Sequence, residues 1–416
     1  MTVALLAIGT ELSRGELVNT NSSWLAGRLI ALGLEPTEHV IVPDELGRIV
    51  SALRDLAGRR EVIVSTGGLG PTTDDLTSEA AARAIDRPLV SNEAGLEAIR
   101  RRFALIGRPM GPSNEKQALL PETATMLPNS DGTAPGFAID VGRARAFFLP
   151  GVPREMERMF EEQVEPALAP RASRTTHQIH LRTFGEGESA VGEKLAGIEA
   201  ALPGITIGYR ASFPEVEVKV LARAVDGSQA EALAERGAAQ VRERLGAIVY
   251  GEGDDSFPAY VGRVMRDRGL TLALAESCTG GLAGQLLTSV PGSSEYVLLD
   301  AVTYSNASKI QLLGVHAELI RAYGAVSAEV ATEMAEGALR ISSAHLAASI
   351  TGIAGPGGGT DEKPVGTVWL GLARRGGKTE SRLLKLGGSR DRIRTIAAFS
   401  ALRWLADAAL TQRLER

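Results

Sequence analysis

The sequence predicts two three-layer α/β domains joined by a small α+β domain. Three observations carry that prediction. In residues 1–168, and again in 251–416, short apolar runs of strand length alternate with helical apolar patterns, the signature of a largely parallel sheet covered by helices. Between them, in residues 169–250, Val216, Val218, Val220 and Ala222 alternate strictly, as in a half-buried strand. The length, 416 residues, is more than one ordinary core fills.

Composition narrows the class. Apolar residues make up 44 % and the net charge is −5, which describes a soluble globular chain and disfavours one built to neutralise a phosphate backbone. Direct binding of nucleic acid is therefore not expected. Cys278 is the single cysteine, so an intramolecular disulfide and a Cys-ligated zinc site are excluded. No basic leader precedes the apolar run at 3–8, and no window reaches about 18 unbroken apolar residues. A cytoplasmic location without a membrane partner is expected.

In the first domain we expect strands at 3–8, 39–42 and 61–65, with helices at 22–32 and 46–56. Asn21 is the candidate N-cap and Gly33 the C-terminal glycine of the first helix. Ligands of such sheets sit at the strand C-terminal ends. Two polar loops lie there, Gly9-Thr10-Glu11 and the longer stretch from Thr66 to Thr77. In the longer loop Gly67, Gly68 and Gly70 let the backbone approach a phosphate, and Thr72 offers a hydroxyl. Asp74 and Asp75 start the helix expected at 76–85. They serve either as caps on its positive end or as ligands of a divalent cation bridging a pyrophosphate. No Gly-Lys-[Ser/Thr] follows, so this is not a P-loop.

These loops, with Leu149-Pro150-Gly151-Val152-Pro153-Arg154-Glu155-Met156, resemble the molybdopterin-binding fold shared by MoaB, MogA and the N-terminal half of CinA proteins, over about residues 1–165. In CinA-type proteins that resemblance implies an ADP-ribose pyrophosphatase needing a divalent metal. Its substrate and metal would bind at the Gly67 to Asp75 loop.

A connector is expected across 166–174, where two prolines precede a basic run. Strands at 179–184, 205–211 and 216–222, helices at 189–201 and 228–245, and a last strand at 248–250 complete the middle unit. Its hairpin turns at Phe213-Pro214, and His177 and His180 read as solvated strand residues. The unit resembles the KH-like module of CinA proteins, but no Gly-x-x-Gly with basic flanks points to RNA. A structural or dimerising spacer is expected.

The last domain opens with a helix at 257–268 and a strand at 270–275, then Ala275-Glu276-Ser277-Cys278-Thr279-Gly280-Gly281 before a helix at 281–289. A serine at that junction either caps the helix or acts as a nucleophile beside free backbone N–H groups. A nucleophile needs a base, and no histidine lies in the loops after these strands. Tyr304 and Lys309 remain; a buried lysine can act as the base and a tyrosine can relay the proton. Further strands are expected at 297–303, 345–350, 365–373 and 380–386, with helices at 327–343 and 391–410. The loop holding Thr351, Gly352 and Gly355 brings backbone amides to a ligand. Arg390 and Arg392 open the last helix against its dipole, which a bound phosphate would explain.

Residues 275–281, 290–294, 303–309, 324–327, 351–356 and 363–367 resemble the CinA C-terminal domain, also called PncC, although Leu299-Asp300 stands where small glycines are commoner. The resemblance implies deamidation of nicotinamide mononucleotide to nicotinate mononucleotide and ammonia, without a cofactor. Ser277 would be the nucleophile, assisted by Tyr304 and Lys309, with Thr279, Gly280 and Gly281 holding the oxyanion or the substrate. Cys278 is the rival nucleophile. A homodimer is implied too. The alternative is a non-catalytic nucleotide-binding module acting in competence or DNA repair through protein partners.

Overall fold

The computed structural model describes residues 1–171 and 175–412. By its internal contacts the chain divides into two compact units. One comprises 1–178, 202–205 and 221–236, the other 179–201, 206–220 and 237–416.

The first sheet contains β1 (Val3–Ile8), β2 (Pro36–Val42) and β3 (Val62–Thr66), paired in parallel. β4 (Leu89–Ser91) and β5 (Leu119–Pro121) form a separate antiparallel ribbon. β6 (Thr125–Leu127), β7 (Gly136–Val141) and β8 (Ala144–Leu149) complete the main sheet in the order β2-β1-β3-β8-β7-β6. β8 joins β3 in parallel, β7 pairs antiparallel with β8, and β6 pairs antiparallel with β7. The mixed edge was not read from the sequence; a two-residue turn with Gly142 at φ 55 joins β7 to β8, and so short a link forces an antiparallel pair. β1 is buried along its length because both its faces are covered, which is why it reads as an unbroken apolar run. Val3 and Leu5 pack with Leu25 and Leu29 on one side, and Ala4 and Leu6 with Ile49, Leu53 and Leu56 on the other.

The second sheet has the order β10-β11-β9-β12, with β9 (Thr175–Phe184), β10 (Ile205–Ser212), β11 (Glu215–Ala224) and β12 (Val249–Glu252). Three expectations change here. The helix expected at 189–201 breaks at Gly197, whose φ of 85 no helix accommodates, leaving Glu188–Leu195 and Ile198–Ala201. Glu217 in β11, between the apolar Val216 and Val218, is itself buried, at 3 % exposure. It is ion-paired with Arg210 at 2.7 Å and hydrogen-bonded with His180 Nδ1 at 2.8 Å, so His180 is a partner of a buried carboxylate rather than a free surface residue. The connector begins as the helix Glu165–Leu168, with Pro166 in its first turn where proline is tolerated. Residues 172–174 of the expected connector lie outside the described residues.

The third sheet has the order β14-β13-β15-β16-β17: β13 (Leu272–Glu276), β14 (Val297–Val302), β15 (Leu346–Gly352), β16 (Thr367–Arg374) and β17 (Glu380–Lys385). β13, β14 and β15 are parallel, β16 pairs antiparallel with β15, and β17 pairs antiparallel with β16. Leu272 and Leu274 pack with Ile393, Ala397 and Leu405 of the closing helix Arg390–Thr411. Ala273 and Ala275 pack with Val330 and Met334 of the helix Ala328–Ser342. Two helical layers thus sandwich β13 and aim its C-terminal end at the loop 277–281. No helix among the described residues is long and apolar enough to cross a membrane.

Candidate active sites

β13 ends at Glu276, which is fully buried, and Ser277 follows at 8 % exposure. The Ser277 backbone N–H donates to the Ile350 carbonyl at 2.9 Å, so the serine is fixed to β15 before the chain turns. Gly281, at φ 89, then enters the helix Leu282–Thr288. Glu276 holds this turn from within: its carboxylate accepts the Gly281 N–H at 3.0 Å and the Gly284 N–H at 2.8 Å. A carboxylate at a helix N-terminus is favoured by dipole and hydrogen bonds together. The sequence reading assigned Glu276 no role; its burial is what makes it a brace.

Lys309 is 1 % exposed. Its Nζ lies 2.9 Å from Ser277 Oγ and 2.8 Å from the Thr303 carbonyl oxygen. Burial pushes its pKa down to about 8, because a charged ammonium is poorly solvated there. The neutral amine has one lone pair for the serine proton and an N–H for Thr303. Lysine therefore reaches serine directly. Tyr304 does not stand between them: it is 64 % exposed, and its hydroxyl accepts from Arg390 Nη2 at 3.2 Å. The expected tyrosine relay is replaced by a tyrosine on the cavity wall. Cys278 points into apolar surroundings, and burial raises its thiol to about 11, which makes it a poor nucleophile.

These groups line a cavity of about 210 Å³ with Asn306, Ala325, Val326, Thr351, Gly352, Ala354 and Arg390. Asn306 and Val326 were missed, since nothing in their spacing marks them. The Thr351 hydroxyl is engaged by the Ala325 carbonyl at 2.7 Å, so it shapes the wall. Gly355 contributes through its carbonyl, which accepts from Arg390 Nη1 at 2.7 Å. Arg392 leaves the cavity, its guanidinium lying 4.5 Å from the centre of the Phe213 ring. The Gly280 and Gly281 N–H groups are spent on the Ser277 carbonyl and Glu276. Those of Cys278 and Thr279 donate to no other group among the described residues. Asp300, beside Glu276 in the next strand, is raised to about 7 by burial and then by the Glu276 charge.

In the first unit a cavity of about 830 Å³ is lined by Glu11, Asn19, Asn21, Asp44, Gly67, Gly68, Gly70, Asp74, Asp75, Gln117 and Glu155 among others. Gly67 adopts φ 102, and a Cβ there would meet the Ile8 carbonyl oxygen at 2.1 Å; only glycine brings this backbone to the cavity. Asp44 was not anticipated: it accepts the Thr10 N–H at 2.7 Å and its hydroxyl at 2.9 Å, pinning the first loop. Thr72 does not itself line the cavity; its single hydroxyl proton is shared between Asp75, at 2.6 Å, and Asp74, both of which do. That bond holds the Asp74 carboxyl below the usual range. Among the described residues no group of three or more His, Cys, Asp or Glu is arranged to hold a metal. Asp74 and Asp75 both line the cavity; a hard cation bound by two carboxylates alone would have to take its remaining oxygens from water and phosphate.

Three family profiles match: the CinA C-terminal domain over residues 254–409, a probable molybdopterin binding domain over 4–170, and the damage-inducible protein CinA KH domain over 178–251. A CinA-like protein of Geobacter sulfurreducens is 47 % identical, covering 99 % of this chain and 100 % of the relative. The chain belongs to the CinA family. A second CinA-like protein, from Geobacter metallireducens, is 46 % identical over 97 % of this chain and 98 % of its own. Among CinA structures, the competence/damage inducible protein CihA of Agrobacterium tumefaciens is 42 % identical over 38 % of this chain and 98 % of its own, with TM-score 0.36. The three-part organisation, with a MoaB/MogA-like domain, a KH domain and the CinA C-terminal domain, is therefore a property of this chain.

Proposed function

We propose that the C-terminal domain deamidates nicotinamide mononucleotide to nicotinate mononucleotide and ammonia. The observation that carries this reading is the buried Lys309 amine 2.9 Å from Ser277 Oγ. A buried lysine whose pKa approaches neutrality is a competent base for a serine, and serine–lysine pairs are a known variant of nucleophilic catalysis. Ser277 Oγ attacks the carboxamide carbon while Lys309 takes its proton. The Cys278 and Thr279 N–H groups, which have no other acceptor among the described residues, would serve the developing oxyanion, and donors of this kind are usually the largest single source of stabilisation in such reactions. The Lys309 ammonium then returns the proton to the leaving nitrogen, ammonia departs, and water hydrolyses the ester. Arg390 on the wall offers charged donors to the substrate phosphate. The test is ammonia release from nicotinamide mononucleotide by the purified chain; none under any condition overturns the reading. Cys278→Ser should keep kcat within about threefold of wild type, as expected for a residue that only packs; a near-complete loss would move the nucleophile to the thiol.

For the N-terminal domain we propose metal-dependent cleavage of ADP-ribose. Support comes from the cavity's glycine-lined wall and from Asp74 and Asp75 on its rim. These two carboxylates would hold the divalent ion, which when bound neutralises pyrophosphate charge. Gly67 and Gly68 would admit the phosphates to the backbone. Substituting both Asp74 and Asp75 by Asn should lower metal-stimulated cleavage of ADP-ribose by about 10-fold or more, with ammonia release unchanged. Wild-type cleavage rates in that variant would assign both residues to capping alone. In this reading the molecule is a homodimer of bifunctional nucleotide-recycling chains, and sedimentation of the purified protein reads its oligomeric state.

A further inference from the structure

The three arginines at the start of the closing helix go to three different places. Arg390 reaches the Gly355 carbonyl and the Tyr304 hydroxyl, and Arg394 Nη2 donates to the Thr279 carbonyl at 2.7 Å. Arg390 therefore ties the helix to the wall of the Ser277 cavity, and Arg394 ties it to the turn that follows Ser277. Arg392 instead lies over Phe213, the first of the two residues between β10 and β11 at the tip of the middle-sheet hairpin. The same helix is held again by Phe399, whose ring lies 5.2 Å from that of Phe184 in β9 and stacks on Phe257 at 5.1 Å. Arg392 and Phe399 are seven residues apart, two helical turns, so they share one face. One face of the helix thus addresses the middle sheet, while Arg390 addresses the cavity and Arg394 the turn after Ser277.

We infer that Phe213 is a positioning residue for the amidase site: by seating Arg392 it fixes the first helical turn from which Arg390 presents its remaining N–H groups to the substrate. The inference rests on the amidase reading for its kinetic arm. A cation–π contact at a partly exposed site sets the size of the effect. Phe213→Ala is expected to raise KM for nicotinamide mononucleotide about threefold to fivefold, with kcat within about twofold. Phe213→Trp should restore the wild-type KM, Arg392→Ala should match Phe213→Ala, and the double variant should add nothing to either single change. An unchanged KM in Phe213→Ala, additive effects in the double variant, or a fall in kcat at constant KM overturns the inference.

A second measurement is independent of turnover. Hydrogen exchange over residues 390–394 should quicken about threefold to fivefold in Phe213→Ala and return to wild type in Phe213→Trp. If wild type releases no ammonia, the amidase reading fails and exchange alone decides. Unchanged exchange then overturns the positioning role; faster exchange, restored by tryptophan, supports it.

Discussion

Ser277→Ala should lower ammonia release from nicotinamide mononucleotide by about 10⁴-fold or more, the scale on which removing the nucleophile collapses acyl transfer. The variant should remain folded. Its backbone N–H to Ile350 and the Glu276 brace on Gly281 and Gly284 do not involve the hydroxyl. ADP-ribose cleavage in the same preparation should match wild type, because that reaction is assigned to the cavity lined by Gly67 and Asp74. Initial-rate assays for ammonia and for ADP-ribose decide it. Amidase activity within tenfold of wild type would remove Ser277 from the mechanism, and a matching loss of both activities would point to misfolding.

Lys309→Met should be nearly as damaging, by about 10²- to 10⁴-fold, the usual worth of a positioned general base. The wild-type pH profile carries the sharper test. Burial lowers the Lys309 pKa to about 8, and only the neutral amine accepts the serine proton. The active fraction therefore rises with pH: kcat/KM should climb about tenfold per unit below pH 8 and level off above it. A profile that is flat from pH 6 to 9, or one that falls as pH rises through 8, contradicts a lysine base. Lys309→Arg should not rescue, since guanidinium stays protonated.

Lys309 also shows where reading from the sequence stops. Its type and its five-residue distance from Tyr304 marked both as candidates, yet they meet different partners. Lys309 sits on the inward face of the helix Asn306–Leu313 and reaches Ser277. Tyr304 precedes that helix on the exposed side and meets Arg390. Spacing alone does not say which way a loop residue turns. Arg392 is a similar case: the cost of an arginine at a helix start led to a phosphate, whereas an aromatic ring far away in sequence accepts it. Asn306, Val326 and Asp44 left no signal at all, because each acts through neighbours distant along the chain.

What the sequence determined by itself is local and periodic. Apolar runs bounded by glycine marked β1, β3, β13 and β15, and the loops after them named Ser277, Gly67 and Asp74 as places for chemistry. These follow from nearest-neighbour rules: strand period, helix capping, and the dihedral freedom of glycine. Tertiary structure alone decided what depends on solvent exclusion and long-range approach. It buried the Lys309 amine against Ser277, turned Glu276 inward as a brace, and closed Thr72 onto its own aspartates. A pKa and a proton's direction are set by which groups surround a side chain in space, and no stretch of sequence contains that information.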